Sequence, residues 1–148
     1  MATNLERVAR GLAPLAAMAT ALEAAAALAV TAGVDPTAPP GFPQTEVLGN
    51  WAGPVANPLE AMYYWMYDDG LGSSNIDCSL SNLSGCWGHR HNLLASLACN
   101  LCVMGGAFGT NAQGTTGVTE LIVETRGPIF VDFTWATEQA YLPRAPGN

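Results

Sequence analysis

The chain has 148 residues, with twelve acids against five bases and a net charge of −7. That size suits one ordinary domain with a real core, and the charge leaves no basic surface for nucleic acid or an anionic membrane. Charged residues are only 11% of the chain, well under the roughly 25% usual in soluble domains, so much of the surface is neutral and suits a broad apolar groove or self-association.

Asn4 stands as an N-cap, and Leu5, Val8 and Leu12 follow at helical spacing. Gly11 and Pro14 break this element, and Pro14 is placed to open a second helix running to about Thr31, with Leu15, Met18 and Leu22 on its packing face and Gly33 as its stop. Residues 34–58 are proline-rich and read as a long irregular connection. Pro58 opens the next helix, to about Tyr67, with Leu59, Met62, Tyr63 and Met66 as its core stripe. Glu60, Tyr64 and Asp68 recur every four residues and form a separate polar ridge.

Gly70 to Gly85 reads as a Gly/Ser/Asn loop, and a short amphipathic helix headed by His89 follows it. Three strand-like runs come next: Leu101 to Phe108, Val118 to Glu124 and Ile129 to Trp135. Gly105-Gly106 marks a bulge or the close approach of another backbone. Helices first and strands after argue an α+β fold, with helices stacked on an antiparallel sheet. No stretch is long and apolar enough for a transmembrane helix.

One segment carries more chemistry than the rest. Gly85-Cys86-Trp87-Gly88-His89-Arg90-His91-Asn92-Leu93-Leu94 resembles the Gly-His-Arg-x-Asn-Ile-Leu signature of the CAP superfamily, the SCP/PR-1-like secreted domains. Three further stretches are similar to that family in the same order. They are Asn4-Leu5-Glu6-Arg7 with Arg10-Gly11-Leu12-Ala13-Pro14-Leu15, then Gly49-Asn50-Trp51-Ala52, then Glu60-Ala61-Met62 leading to Trp65-Met66. All five bases are arginine and none is lysine, which suits a high-GC genome and the family's actinobacterial-type branch.

The resemblance spans about residues 3–142 and implies a single CAP-like domain over 1–148 with a three-layer α-β-α sandwich. It also implies export, although no leader with an apolar segment and cleavage site opens this chain. Cys78, Cys86, Cys99 and Cys102 cluster locally, and their spacing permits three pairings or a zinc site. With an exported family in view, disulfides are the favoured reading, as 78–86, closing the loop before the histidine helix, and 99–102.

Complete family members hold a divalent metal such as zinc on two histidines and two acids. Here His89 matches one histidine and Asp68 one acid, while the other acid falls at Gly49 and no histidine precedes 89. Two ligands do not make a zinc site, so no metal or other cofactor is expected. Were a metal present, Glu46 would be the substitute ligand beside His89 and Asp68. His91 faces another side of its helix.

A hydrogen-bonded His89/Asp68 pair is the remaining catalytic candidate, and it lacks a nucleophile in a strained elbow. Trp51, Glu60, Tyr64, Tyr67, Trp87 and His89 are the residues expected to line a cleft, with Tyr63 and Trp65 in the core. The leading expectation is a secreted, non-enzymatic binding module for a small apolar ligand or a protein partner. The alternatives are a hydrolase-like enzyme using His89 and Asp68, and a self-assembling extracellular structural protein.

Overall fold

The computed structural model describes residues 2–97 and 101–140. The first helix, α1, is Ala2–Ala9, but its inward face is polar. Thr3, Asn4 and Arg7 are buried, whereas Leu5 and Val8 of the expected apolar stripe are about half exposed. Asn4 is no N-cap. Its amide imitates a peptide group, accepting from the Leu15 N–H at 2.7 Å and donating to the Leu15 carbonyl at 2.8 Å. Arg7 donates to the carbonyls of Ala13, Leu93 and Ala95, so backbone oxygens receive the Nε and Nη1 donors of the buried guanidinium.

The clamp on Leu15 holds the next residues extended. The expected helix from Pro14 to Thr31 is therefore two elements, β1 at Ala17–Ala19 and α2 at Thr20–Ala32. Small side chains at Ala17 and Ala19 let β1 run between two other strands, and both are buried. Gly33 ends α2 in the left-handed conformation, φ 70°, with its N–H on the Ala29 and Val30 carbonyls.

The proline-rich connection also contains structure: Gln44–Ala52 forms β2. Alternation in Val47-Leu48-Gly49-Asn50-Trp51 fits a strand, and an edge position tolerates its glycine and asparagine. Helix α3 is Pro58–Tyr67, capped by the Asn57 side chain accepting from the Leu59 and Glu60 N–H groups. Its buried stripe is Ala61, Met62, Trp65 and Met66, while Leu59 and Tyr63 face outward against expectation. The histidine helix α4 is Gly88–Leu93, shorter than its leucine spacing suggested.

Strands β3 (Cys102–Thr110), β4 (Thr116–Thr125) and β5 (Val131–Thr134) lie close to the expected runs, and Trp135 starts α5, Trp135–Gln139. The sheet order is β2-β4-β3-β1-β5. Three pairings are antiparallel, but β1 runs parallel to β3. The sheet is thus mixed rather than antiparallel, because the chain crosses over through α2 to α4 between β1 and β3.

Alternation splits the core in two. Leu22 of α2 joins Val103, Leu121 and Val123 on one face. Met62, Trp65 and Met66 of α3, with Leu93 of α4, join Cys102, Met104 and Ile122 on the other. Gly105 explains how close α2 lies, since a Cβ there would run into the backbone of Leu22 and Glu23. The glycine pair marks a close approach and β3 stays regularly paired.

Candidate functional site

Beside the β2 edge lies a cleft of about 510 Å³. Its walls come from the segment after α2 (Asp35), β2 (Trp51), α3 (Tyr64 and Trp65), the loop after it (Ser74 to Asp77) and α4 (His89). The inner wall is aromatic: Trp65 is buried and stacks on the His89 ring, with centroids 6.4 Å apart. Trp65 also donates its indole N–H to the Trp51 carbonyl at 3.2 Å, tying α3 to β2.

His89 is held by Asp69, the neighbour of the expected Asp68. The His89 Nδ1 lies 2.7 Å from Asp69 Oδ1. The other carboxylate oxygen accepts the backbone N–H groups of His89 at 3.0 Å and Arg90 at 3.4 Å. Asn75 donates to Asp69 Oδ1 at 2.7 Å, and the Trp87 N–H donates to the Asp69 carbonyl at 2.9 Å. Asp69 is buried, and it fixes both the imidazole and the free N–H groups that open α4. With Nδ1 committed, Nε2 is the ring nitrogen available to the cleft.

The reason for the one-residue shift is local. Glu60 and Tyr64 do form the expected ridge, with the tyrosine hydroxyl donating to Glu60 at 3.1 Å. Asp68, however, is the C-cap of α3, with φ −137° and ψ 48°, so the helical phase ends one residue before it. The chain turns there, leaving Asp68 on the cleft wall and sending Asp69 inward.

Burial lowers the His89 pKa, but the Asp69 hydrogen bond and charge, with the charges of Asp35 and Asp77, more than offset this and hold it above its ordinary value. Burial pushes the Asp35 carboxyl up, and the charge of His89 and the Trp51 N–H counter part of that rise. Helix α4 itself is fastened to β2 by an amide pair. Asn92 donates to Asn50 Oδ1 at 2.9 Å and to the Gly49 carbonyl at 3.0 Å, and Asn50 donates to the His89 carbonyl at 3.2 Å.

Of the six expected cleft residues, Trp51, Tyr64 and His89 line it. Tyr67 instead donates its hydroxyl to Glu6 on α1 at 2.9 Å. Glu60 accepts the Ala56 N–H and the Tyr64 hydroxyl outside the cleft. Trp87 adopts a left-handed backbone, φ 64°, and lays its ring against Gly70 with the Arg90 guanidinium 5.4 Å from the ring. A Cβ on Gly70 would meet that ring at 2.6 Å, so the glycine makes room for it.

Asp35, Asn75 and Asp77 were not picked out from sequence. They sit in loops, where no periodicity marks a facing side chain. A useful sign was available at Asp69, an acid immediately followed by a glycine at the end of a helix.

Cys78 and Cys86 form a disulfide, as expected, and it closes the loop that directly follows Asp77. The second expected pair includes Cys99, which lies outside the described residues. The residues do not fit the metal tetrad that the CAP resemblance implies. Glu46 is exposed on β2 and does not line the cleft, and among the described residues no group of three His, Cys, Asp or Glu is placed to hold a metal ion.

No protein-family model matches the chain, and no curated protein or solved structure matches it either. Among the described residues no helix is long and apolar enough to cross a membrane.

Proposed function

We propose that this chain is an exported CAP-like binding domain, with helices packed on both faces of its sheet, that takes a small molecule into the cleft beside β2. The observation that carries this is the His89–Asp69 pair set into an aromatic cavity of about 510 Å³. That volume is in the range of small-molecule sites, and a few oriented polar groups beside aromatic side chains are how such sites fix a ligand's orientation. The ligand's apolar body lies against Trp51 and Trp65, and His89 Nε2 supplies the polar anchor. The Cys78–Cys86 disulfide supports a life outside the reducing cytosol.

Native mass spectrometry of the protein recovered from its own host tests this reading. The expected spectrum contains an adduct of a few hundred daltons, of the size such a cavity holds, that is lost from Trp51→Ala. An adduct unaffected by that change, or one retained only on denatured protein, contradicts it.

A hydrolase-like reading has one observation in its favour, since Ser74 lies in the same cleft as His89. It requires His89 to take the hydroxyl proton while Asp69 stabilises the resulting imidazolium. Covalent labelling by a fluorophosphonate probe at Ser74, abolished by His89→Ala, would establish that chemistry. Absence of labelling leaves the cleft a binding site.

A further inference from the structure

Apart from His89, the charged groups of the cleft are all acidic. Asp35, Asp68 and Asp77 line it in addition to the paired Asp69, and neither an arginine nor a lysine does. None of the three forms an ion pair within the described residues: those present are Arg10 with Glu6 and His89 with Asp69. With Nδ1–H given to Asp69, neutral His89 offers an acceptor at Nε2. When His89 is protonated, its single positive charge faces Asp69, Asp35 and Asp77 together, so the carboxylates still outnumber it.

Carboxylates with no arginine or lysine beside them favour a ligand that is positive and donates hydrogen bonds. The aromatic faces of Trp51 and Tyr64 beside them favour a cation over an anion as well. An anion would meet repulsion from the carboxylates of Asp35, Asp68 and Asp77.

Resting on the small-molecule reading above, we infer that the ligand of this cleft is a protonated amine on a compact apolar body, its N–H groups directed at Asp35 and Asp77 and its body against the aromatic wall. Primary amines fit better than quaternary ones, because the acceptors need hydrogen-bond donors. The inference stands on the cavity, its aromatic side chains and the charged groups around it.

The test compares three phenyl compounds of similar size by calorimetric titration: phenethylammonium, 2-phenylethanol and 3-phenylpropionate. Phenethylammonium is expected to bind at least about tenfold more tightly than the alcohol, in keeping with charge-assisted hydrogen bonds, and the carboxylate more weakly than either. Asp35→Asn combined with Asp77→Asn should bring the ammonium-to-alcohol ratio close to one. Should that double variant fail to fold, raising the ionic strength on the unchanged protein should weaken the ammonium and spare the alcohol.

Alcohol binding as tightly as the ammonium, or carboxylate binding the tightest, overturns the charge assignment and leaves the small-molecule cleft standing. Failure of all three to bind overturns both.

Discussion

Gly49 is one of the two positions at which this chain lacks a ligand of the metal tetrad that the CAP resemblance implies, since no histidine precedes 89 either. The position sits on β2, and a Cβ there would run into the Pro36 carbonyl. Glycine is required by the backbone that crosses over it, so an acid cannot be restored without displacing the segment that also carries Asp35. Gly49→Glu is therefore expected to cost roughly 2 kcal/mol or more of stability and to leave the protein without stoichiometric zinc. Thermal melting with elemental analysis checks both. A variant as stable as the parent and holding one zinc per chain would show that the strand edge yields.

Residue-level reading of the sequence succeeded where chemistry is local and failed where phase is carried past an element's end. His89 heading a short helix, Gly33 as a stop and the Cys78–Cys86 pair were all legible. Asp68 matches the family's acid position and continues the Glu60–Tyr64 ridge, but α3 stops before it, so Asp69 takes the place beside His89.

At the level of elements, helices with apolar stripes were easier to find than short strands. α1 inverts the expected pattern, burying Thr3, Asn4 and Arg7, since each satisfies a distant backbone or carboxyl group. β1 was read as helix because alanine favours helices, and the Asn4 amide on Leu15 overrides that preference. β2 was hidden by the prolines around it.

The loop between α3 and α4 is a further element with its own constraint. Its disulfide joins residues eight apart, and closing so short a loop stabilises by about 2–3 kcal/mol on the chain-entropy model. Cys78→Ala with Cys86→Ala is expected to lower stability by that amount and to raise amide exchange across residues 72–86. Exchange rates unchanged in that loop would mean that Asp69 and Asn75 alone hold it.

At the scale of the whole molecule, α1 is joined to the sheet through a buried acid. Glu120 on β4 accepts the Thr3 hydroxyl at 2.7 Å. Burial raises its pKa from 4.5 to about 7, against the lowering effects of the Thr3 bond and the Arg7 charge. The folded protein thus holds this proton more tightly than the unfolded chain. The stability it contributes is complete below about pH 4.5 and is lost as pH rises through about 7, a swing of roughly 3 kcal/mol. Glu120→Gln keeps the acceptor for Thr3 and removes the titration, so its melting temperature should vary less between about pH 5 and pH 8. Melting curves for the two proteins that move in parallel with pH would exclude Glu120 as the source.

His89 acts in the same direction. Its folded pKa is raised, so its contribution is present below the unfolded value of about 6.5 and falls away as pH rises through the folded one. That coupling offers a direct view of the site on which the functional reading depends. NMR titration of the His89 ring in the parent, Asp69→Asn and Asp68→Asn proteins should give a pKa above about 6.5 in the parent, a clearly lower one in Asp69→Asn, and one much closer to the parent in Asp68→Asn. A His89 pKa lowered by Asp68→Asn and indifferent to Asp69→Asn would contradict the pairing and the arrangement of the cleft built on it.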